Sequence, residues 1–540
     1  NGGRTTRVNS LAVDPFDSSV IFAATNGGGV YKSNDGGDTW THLGLEKTRH
    51  ISDVVIHPEN PDVVYVAAQG ALHGPSEDRG VYKSTDGGQN WKDVTPSGLP
   101  KGGRVDAVEP SPHNPAKAYI AVMRYKLMDL KPYIFKTEDF GESWSLITEG
   151  IEGAHTFVRV VRADKKVPGL LYAGTETGFY ISYDDGQHWK SFQGNLPVVP
   201  INDLFIQDND MIAATAGRSF CILDDLSSLQ EQTNVKGLHL ASPKTAYRLS
   251  SGKTPKESTQ GTNPVSGMYL DYYLPNELDS IQVTLEILEA NKVIRSYTSK
   301  KPTKAGSWPG GPRPELILPK KEGFNRVHWD FRRAPVAAVD KVFVYGSFDG
   351  SRVGPGEYIA RLTYGKEQKE TTLTVLPNPN ISASQADFDE QQKLLVEIDN
   401  ALGTIHNSVT RMRNIQSQLE HYIKILNGKT NYASVSEKAT AINEKLKTWE
   451  VKLIQPQQKT FQDVINFNNK LNAEWMYLKG FVDSDDPKVT RGAKERFQDL
   501  MAQWEVNENE LNAIIEVDFK AFETLYQTME IPALLIPETE

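Results

Sequence analysis

The sequence predicts a multi-domain chain: an all-β propeller of repeated blades over residues 1–230, a β-sandwich over 231–378 and an all-α antiparallel four-helix bundle over 379–540. Three observations carry this. One pattern recurs four times in the first segment. The second shows period-two apolar alternation broken by Gly/Pro turns, and after Pro377-Asn378-Pro379 the apolar period changes to 3.6.

The repeated pattern is Ser-x-Asp-x-Gly-x-x-Trp and close variants. It occurs as Ser33 to Trp40, Ser84 to Trp91, Thr137 to Trp144 and Ser182 to Trp189, and its aspartates Asp35, Asp86, Asp139 and Asp184 lie 51, 53 and 45 residues apart. That period suits a four-stranded blade. An alternating strand such as Val30-Tyr31-Lys32 runs into a tight turn, where aspartate bonds the turn amides and glycine supplies positive φ. The tryptophans Trp40, Trp91, Trp144 and Trp189 are expected as apolar plugs between blades. Strand pairs joined by Asp/Asn/Pro turns precede the boxes, as in Leu11–Pro15 with Val20–Ala24 and Val54–Pro58 with Val63–Ala67.

These residues resemble the Asp-box, or BNR, repeat of sialidases and sortilin-type propellers. The chain is most similar to long bacterial sortilin-like repeat proteins often labelled "glycosyl hydrolase". Tyr65 to Gly80, Leu170 to Glu176 and Thr215 to Asp225 share in the resemblance, which continues to the C-terminus. It implies an extracytoplasmic location and places the boxes on the face opposite any catalytic centre. Members carry histidine and tryptophan where this chain has Ala216 and Cys221, so a role needing either side chain does not transfer. Members also carry many more blades than the five counted here, near 8–44, 51–94, 104–148, 157–192 and 201–229. The propeller is therefore expected to be incomplete.

Strands at 269–273, 283–288, 325–330, 354–362 and 371–375 argue for a sandwich of immunoglobulin or fibronectin type III kind, with 250–264 and 302–314 as loops. In the last segment Leu395, Ile398, Leu402, Ile405 and Val409 step along one long helix. Ser434 with Glu437 reads as a capping box opening a second helix. Phe461, Val464, Leu471 and Trp475 mark a third, and Asp485-Asp486-Pro487 starts a fourth. Trp449, Trp475 and Trp504 fall on the apolar stripes and are expected in the core.

Composition narrows the function. The 540 residues carry a net charge of -10, which argues against a nucleic-acid binder and suggests a basic partner surface. No apolar run approaches a membrane span. The single cysteine, Cys221, excludes an internal disulfide and is expected as a small apolar residue in the last blade. The start at Asn1 without methionine reads as a mature or trimmed product, or a fragment.

No catalytic residue emerges. The box aspartates recur in every repeat, which marks a structural turn rather than one active centre. Arg49, Arg79, Arg104, Arg159 and Arg218 share no motif, Glu176 and Asp203 stand at blade entrances, and the histidines show no metal-ligand spacing. Asn26-Gly27-Gly28-Gly29 precedes a strand, so it is no phosphate loop. No metal and no cofactor are expected. The long loop His73 to Arg79 stands out, so Glu77, Asp78 and Arg79, with Arg218, are the candidate binding residues. The expected function is a secreted or cell-envelope scaffold without glycosidase activity. It would bind a protein or peptide partner, for instance in an envelope or secretion assembly. The alternative is a glycoside hydrolase or carbohydrate-binding protein of the Asp-box propeller class, with a glycan partner.

Overall fold

Between Val8 and Leu223 alternating strands form five antiparallel sheets, each a simple meander and four of them closed by box turns. The computed structural model describes residues 7–531 except 72, 75, 233–234, 236, 251–264, 278–279 and 302–307. Most of the two expected loops 250–264 and 302–314 thus lies outside the described residues. The chain divides into two compact units, Asn1–Asn234 and Val235–Glu540.

Blade 1 comprises β1 (Val8–Val13), β2 (Ile21–Thr25), β3 (Val30–Ser33) and β4 (Thr41–His42). Blade 2 comprises β5 (Ile51–His57), β6 (Asn60–Ala68), β7 (Gly80–Ser84) and β8 (Lys92–Asp93). Blade 3 runs through β9 (Arg104–Pro110), β10 (Ala118–Met123), β11 (Ile134–Thr137) and β12 (Ser145–Leu146). Blade 4 follows as β13 (Val158–Ala163), β14 (Leu171–Thr175), β15 (Phe179–Ser182) and β16 (Lys190–Ser191). Blade 5 has three strands, β17 (Ile201–Gln207), β18 (Asp210–Thr215) and β19 (Phe220–Leu223), followed by the short helix α1 (Ser227–Glu231).

The first strands of successive blades pack on one another, β1 on β5, β5 on β9, β9 on β13 and β13 on β17. Among the described residues no comparable packing joins β17 back to β1. One position shows the consequence. Val54, Val108, Val161 and Leu204 are at most 1% exposed against the preceding blade, whereas Leu11, at the same place in blade 1, is 61% exposed. On the far side of blade 5, Phe205, Phe220 and Ile222 are exposed too. Cys221 lies between the last two, half-buried, with its side packed on the blade core.

Each first strand also carries a bulge near its start. The register skips Asn9, Ser52, Asp106, Arg159 and Asn202 in turn. The freed side chains reach sideways: Asn9 Nδ2 donates to Ile51 O at 2.8 Å and Ser52 Oγ to Val105 O at 2.8 Å, each in the next blade.

The boxes close the opposite end of blades 1 to 4. In every one a hydroxyl accepts from the second turn amide: Ser33 from Gly37, Ser84 from Gly88, Thr137 from Gly141 and Ser182 from Gly186, at 2.8–2.9 Å. The same hydroxyl donates to the box carboxylate, which accepts an amide four residues on, from Thr39, Asn90, Ser143 or His188. Gly88 must be glycine: its φ is +93° and a Cβ would stand 2.6 Å from Leu43 Cδ1 of blade 1. The tryptophan of one blade then bonds the blade before it. Trp91 Nε1 donates to Leu43 O at 2.7 Å, Trp144 Nε1 to Val94 O at 2.7 Å and Trp189 Nε1 to Ile147 O at 2.8 Å. Trp40 instead bonds Gly37 O of its own turn and is 40% exposed.

In the second unit, β20 (His239–Leu240), β22 (Met268–Leu274) and β25 (Gly323–Trp329) form one sheet in the order β20-β22-β25. A second sheet has the order β21-β27-β26-β23-β24, from β21 (Ala246–Tyr247), β23 (Val283–Glu289), β24 (Lys292–Thr298), β26 (Gly356–Tyr364) and β27 (Glu367–Leu376). Alternate residues of both sheets, among them Leu270, Tyr272, Leu285, Trp329, Leu362 and Leu373, share one core. The helical region follows. Ser384 and Asp387 form a capping box that opens α2 (Gln385–Leu426). Then come α3 (Ala433–Leu453), α4 (Leu471–Val482), α5 (Arg491–Ala513) and, after a π-helical stretch at Ile514–Phe519, α6 (Lys520–Thr528). Trp449, Trp475 and Trp504 are buried in a core with Leu395, Ile398 and Leu446.

Three helix starts differ from the sequence expectation. A 3-10 turn at Thr430–Tyr432 leads into α3, so Ser434 is already inside the helix and caps nothing. Phe461 and Val464 belong to a short 3-10 turn capped by Thr460 and Asp463, and α4 begins only at Leu471. Thr490, not Asp485, caps α5, its hydroxyl accepting from Ala493 N. Asp485 is engaged elsewhere, by Arg352 at 2.7 Å, while Asp483 takes Arg332 at 2.9 Å and Arg352 at 3.1 Å. These pairs tie the end of α4 to the loops between β25 and β26.

The box network predicts a pH signature. The Thr39 hydroxyl, the Asn90 amide and the Ser143 hydroxyl give the strongest bonds that hold Asp35, Asp86 and Asp139 down at about 2. A depressed carboxyl stabilises the fold above its ordinary value of 3.8, and that contribution is lost as pH falls toward 2. Asp86→Ala should therefore lower Tm at pH 7, with the gap from the parent narrowing between about pH 4 and about pH 2. Thermal unfolding across that range checks it; a constant gap would show that the carboxylate is not what holds the turn.

Candidate functional site

At the end of the blades away from the boxes, three connections meet around a cavity of about 560 Å³. They are the β6–β7 loop with His73, Gly74 and Arg79, the β8–β9 connection with Lys101 to Arg104, and the β10–β11 loop from Met123 to Leu127. The long loop singled out in the sequence therefore lines a cavity, but through one candidate only.

Arg79 is spent on the backbone. Its Nε donates to Gln69 O at 2.8 Å, Nη2 to Ala71 O at 2.6 Å and Gly74 O at 3.0 Å, and Nη1 to Gly102 O at 3.2 Å. It folds its loop over and ties it to the next connection. Gly70 lets it pass: φ is +65°, and a Cβ there would stand 2.6 Å from Arg79 Cγ. Burial, and then the nearby Arg104 charge, push the Arg79 guanidinium below its usual value. Glu77 is exposed and Asp78 half-buried, and neither lines the cavity. Arg218 stands exposed in the β18–β19 turn of blade 5, apart from the other three.

The remaining side chains come from residues that share no motif. Arg104 Nη2 donates to Gln69 Oε1 at 2.6 Å and lies 3.5 Å from Asp106, while its Nε is buried without a partner. Asp106, the bulged residue of β9, accepts from Gln69 Nε2 at 2.6 Å. Burial pushes its carboxyl up to about 6 against the pull of Arg104 and Arg159. Arg124 donates to Lys101 O at 3.0 Å and is ion-paired with Asp129. Lys101 and Lys126 are exposed at the rim. Tyr125 lines the cavity and stacks on Phe157, the ring centroids 5.2 Å apart. Lys101 and Arg104 flank the glycine pair Gly102-Gly103, a run that the sequence reading passed over.

The carboxylates that the sequence placed at blade entrances are ion-paired, one within blade 4 and one between blades 4 and 5. Glu176 takes Arg159, whose Nε donates at 2.9 Å, and Asp203 takes Arg162 at 2.7 Å. Among the described residues no group of three or more His, Cys, Asp or Glu is placed to hold a metal ion, and no helix is long and apolar enough to cross a membrane.

Comparison with known proteins bears on the class. The family model for sortilin, neurotensin receptor 3, matches residues 2–99. A probable oligoxyloglucan-reducing end-specific xyloglucanase from Neosartorya fischeri is 32% identical over 89 residues, 16% of this chain and 10% of that protein. The oligoxyloglucan-reducing end-specific xyloglucanase of Emericella nidulans is 24% identical over 214 residues, 37% of this chain and 25% of that protein. The chain thus spans a tenth and a quarter of the length of these two curated relatives. The crystal structure of the GH74 xyloglucanase from Xanthomonas campestris overlaps 69% of this chain and 66% of that one at 16% identity, but its TM-score of 0.34 is too low to carry an argument.

The resemblance to sortilin-like Asp-box propellers and their glycosyl-hydrolase-labelled relatives is borne out. The expected role as a protein- or peptide-binding scaffold is overturned, because both curated relatives are named as enzymes acting on a glycan. Arg79 is bound up with backbone carbonyls, and the cavity is lined by cations, whereas the net charge suggested an acidic face for a basic partner.

Asp106 gives a prediction. Its folded carboxyl keeps a proton that the unfolded chain releases near 3.8, so its contribution to stability is complete below that value and lost as pH rises through about 6. Asp106→Asn, which needs no charge buried, should melt above the parent at pH 8 and equal to it near pH 4. Calorimetric melting at both values decides; a variant less stable at pH 8 would mean that the ionised carboxylate is held by Arg104.

Proposed function

We propose that this chain is part of a glycan-acting protein of the glycoside-hydrolase class, and that a saccharide is held in the cavity over blades 2 and 3. The observation that carries this is the likeness, over 37% of the chain, to an oligoxyloglucan-reducing end-specific xyloglucanase. The cavity supports it with a volume of about 560 Å³, room for a few sugar rings, and with Tyr125, an aromatic surface of the kind on which a sugar's C–H face packs. Stacking on Phe157 fixes that ring before a ligand arrives, which lowers the ordering cost of binding. An extracytoplasmic location belongs to the same reading, since that is where structural polysaccharides lie. So does the view of the second unit as an immunoglobulin-like sandwich with an appended helical bundle.

The test is a panel of oligosaccharides, with neutral xyloglucan and other β-glucan fragments beside uronate-bearing ones. Each is assayed for release of reducing ends and, by titration calorimetry, for binding. We expect binding or turnover with at least one member, weakened about tenfold by Tyr125→Ala. Silence across the whole panel in both assays would overturn the reading.

A further inference from the structure

Several half-buried cations of the propeller unit are paired with carboxylates. Arg159 has Glu176, Arg162 has Glu109 and Asp203, and Lys117 and Lys136 share Asp185 at 2.6 and 3.1 Å. The cavity over blades 2 and 3 is lined differently. Arg79, Lys101, Arg104, Arg124 and Lys126 line it, and no carboxylate does. Arg124 has Asp129, and Asp106 sits beside Arg104 sharing itself with Gln69. Arg79 is bonded only to carbonyl oxygens, so its hydrogen bonds are satisfied while its charge is not. In a chain of net charge -10, this is a concave spot of concentrated positive charge.

Surplus positive charge inside a cavity is self-repulsive; burial first, and then the Arg104 charge, lower the Arg79 guanidinium. A fold that keeps such an arrangement gains most when an anion enters, because the anion relieves the repulsion and is bound in a partly desolvated setting. Arg104 lines the cavity wall, and the ammonium groups of Lys101 and Lys126 supply donors from the rim. The aromatic wall at Tyr125 stands on the same cavity.

We propose that the saccharide taken here bears a carboxylate, that is, a uronate-containing oligosaccharide whose acid group is seated among Lys101, Arg104 and Lys126 while a sugar ring packs on Tyr125. This rests on the glycan reading and specifies its substrate class.

The experiment compares three probes by calorimetry on the whole chain: an oligosaccharide carrying one glucuronate, its neutral counterpart of equal length, and inorganic sulfate. The variants are Lys101→Glu with Lys126→Glu, both exposed so that folding is spared, and Lys190→Glu on β16 as a remote control. We expect the acidic oligosaccharide to bind at least about tenfold tighter than the neutral one, and to weaken as salt rises. The double reversal should abolish that preference, and the control should leave it in place. Equal affinity for the acidic and neutral sugars would overturn the proposal and leave the glycan reading standing. Binding of sulfate without either sugar, or of none of the three, would also overturn the proposal, while the glycan reading stands or falls on the wider panel.

Discussion

The hydrogen bond from a box tryptophan to the carbonyl of the preceding blade is the contact on which the first unit depends. A β-meander of four short strands cannot bury both of its faces, so each blade needs a neighbour at a fixed distance and tilt. Trp91, Trp144 and Trp189 set that distance through one indole N–H each, at nearly the same length. The hydroxyl–carboxylate–amide lattice beneath the indole holds it in place, since Ser84 and Asp86 fix the turn from which Trp91 projects. The repeat is thus one joint used several times. Trp40 shows the joint without a partner, folded back on its own turn.

Stacking by that joint leaves the other ends of the blades free. Their connections differ in length and sequence, and those of blades 2 and 3 build a cavity. Arg79 does the building: by taking four carbonyl oxygens from two blades it converts a long loop into a wall. The second unit is fastened in another way. Arg332 and Arg352 from the strand loops close on Asp483 and Asp485, and Lys479 of α4 meets Asp399 of α2 at 2.7 Å. Long side chains thus bridge elements that share only part of a core.

What the sequence disclosed follows from how local each signal is. Box spacing and strand alternation are set within ten or so residues, so the sheets and their order could be read from Val30 to Trp40 and its counterparts. Helical periodicity was legible for the same reason. Helix starts were not: Ser434 and Asp485 satisfy the pattern of a cap, but a 3-10 turn reaches the first, and Arg352, 133 positions away, claims the second. The site was legible only at Arg79. Lys101, Arg104, Arg124 and Tyr125 come from separate connections, and nothing in sequence distance says that they meet. Net charge misled as well, because an average over 540 residues hides a cationic hollow.

The bulge at the head of each first strand gives the repeat chemical variety at a fixed place. A residue skipped by the ladder has no directly opposite partner on the neighbouring strand. Asn9, Ser52, Asp106, Arg159 and Asn202 occupy that one place in five blades, spanning amide, hydroxyl, acid and base, while the boxes scarcely vary. Within this one chain a nearly constant turn at one end of the blade thus accompanies a varied side chain at the other, so blades of one plan present unlike chemistry along one edge.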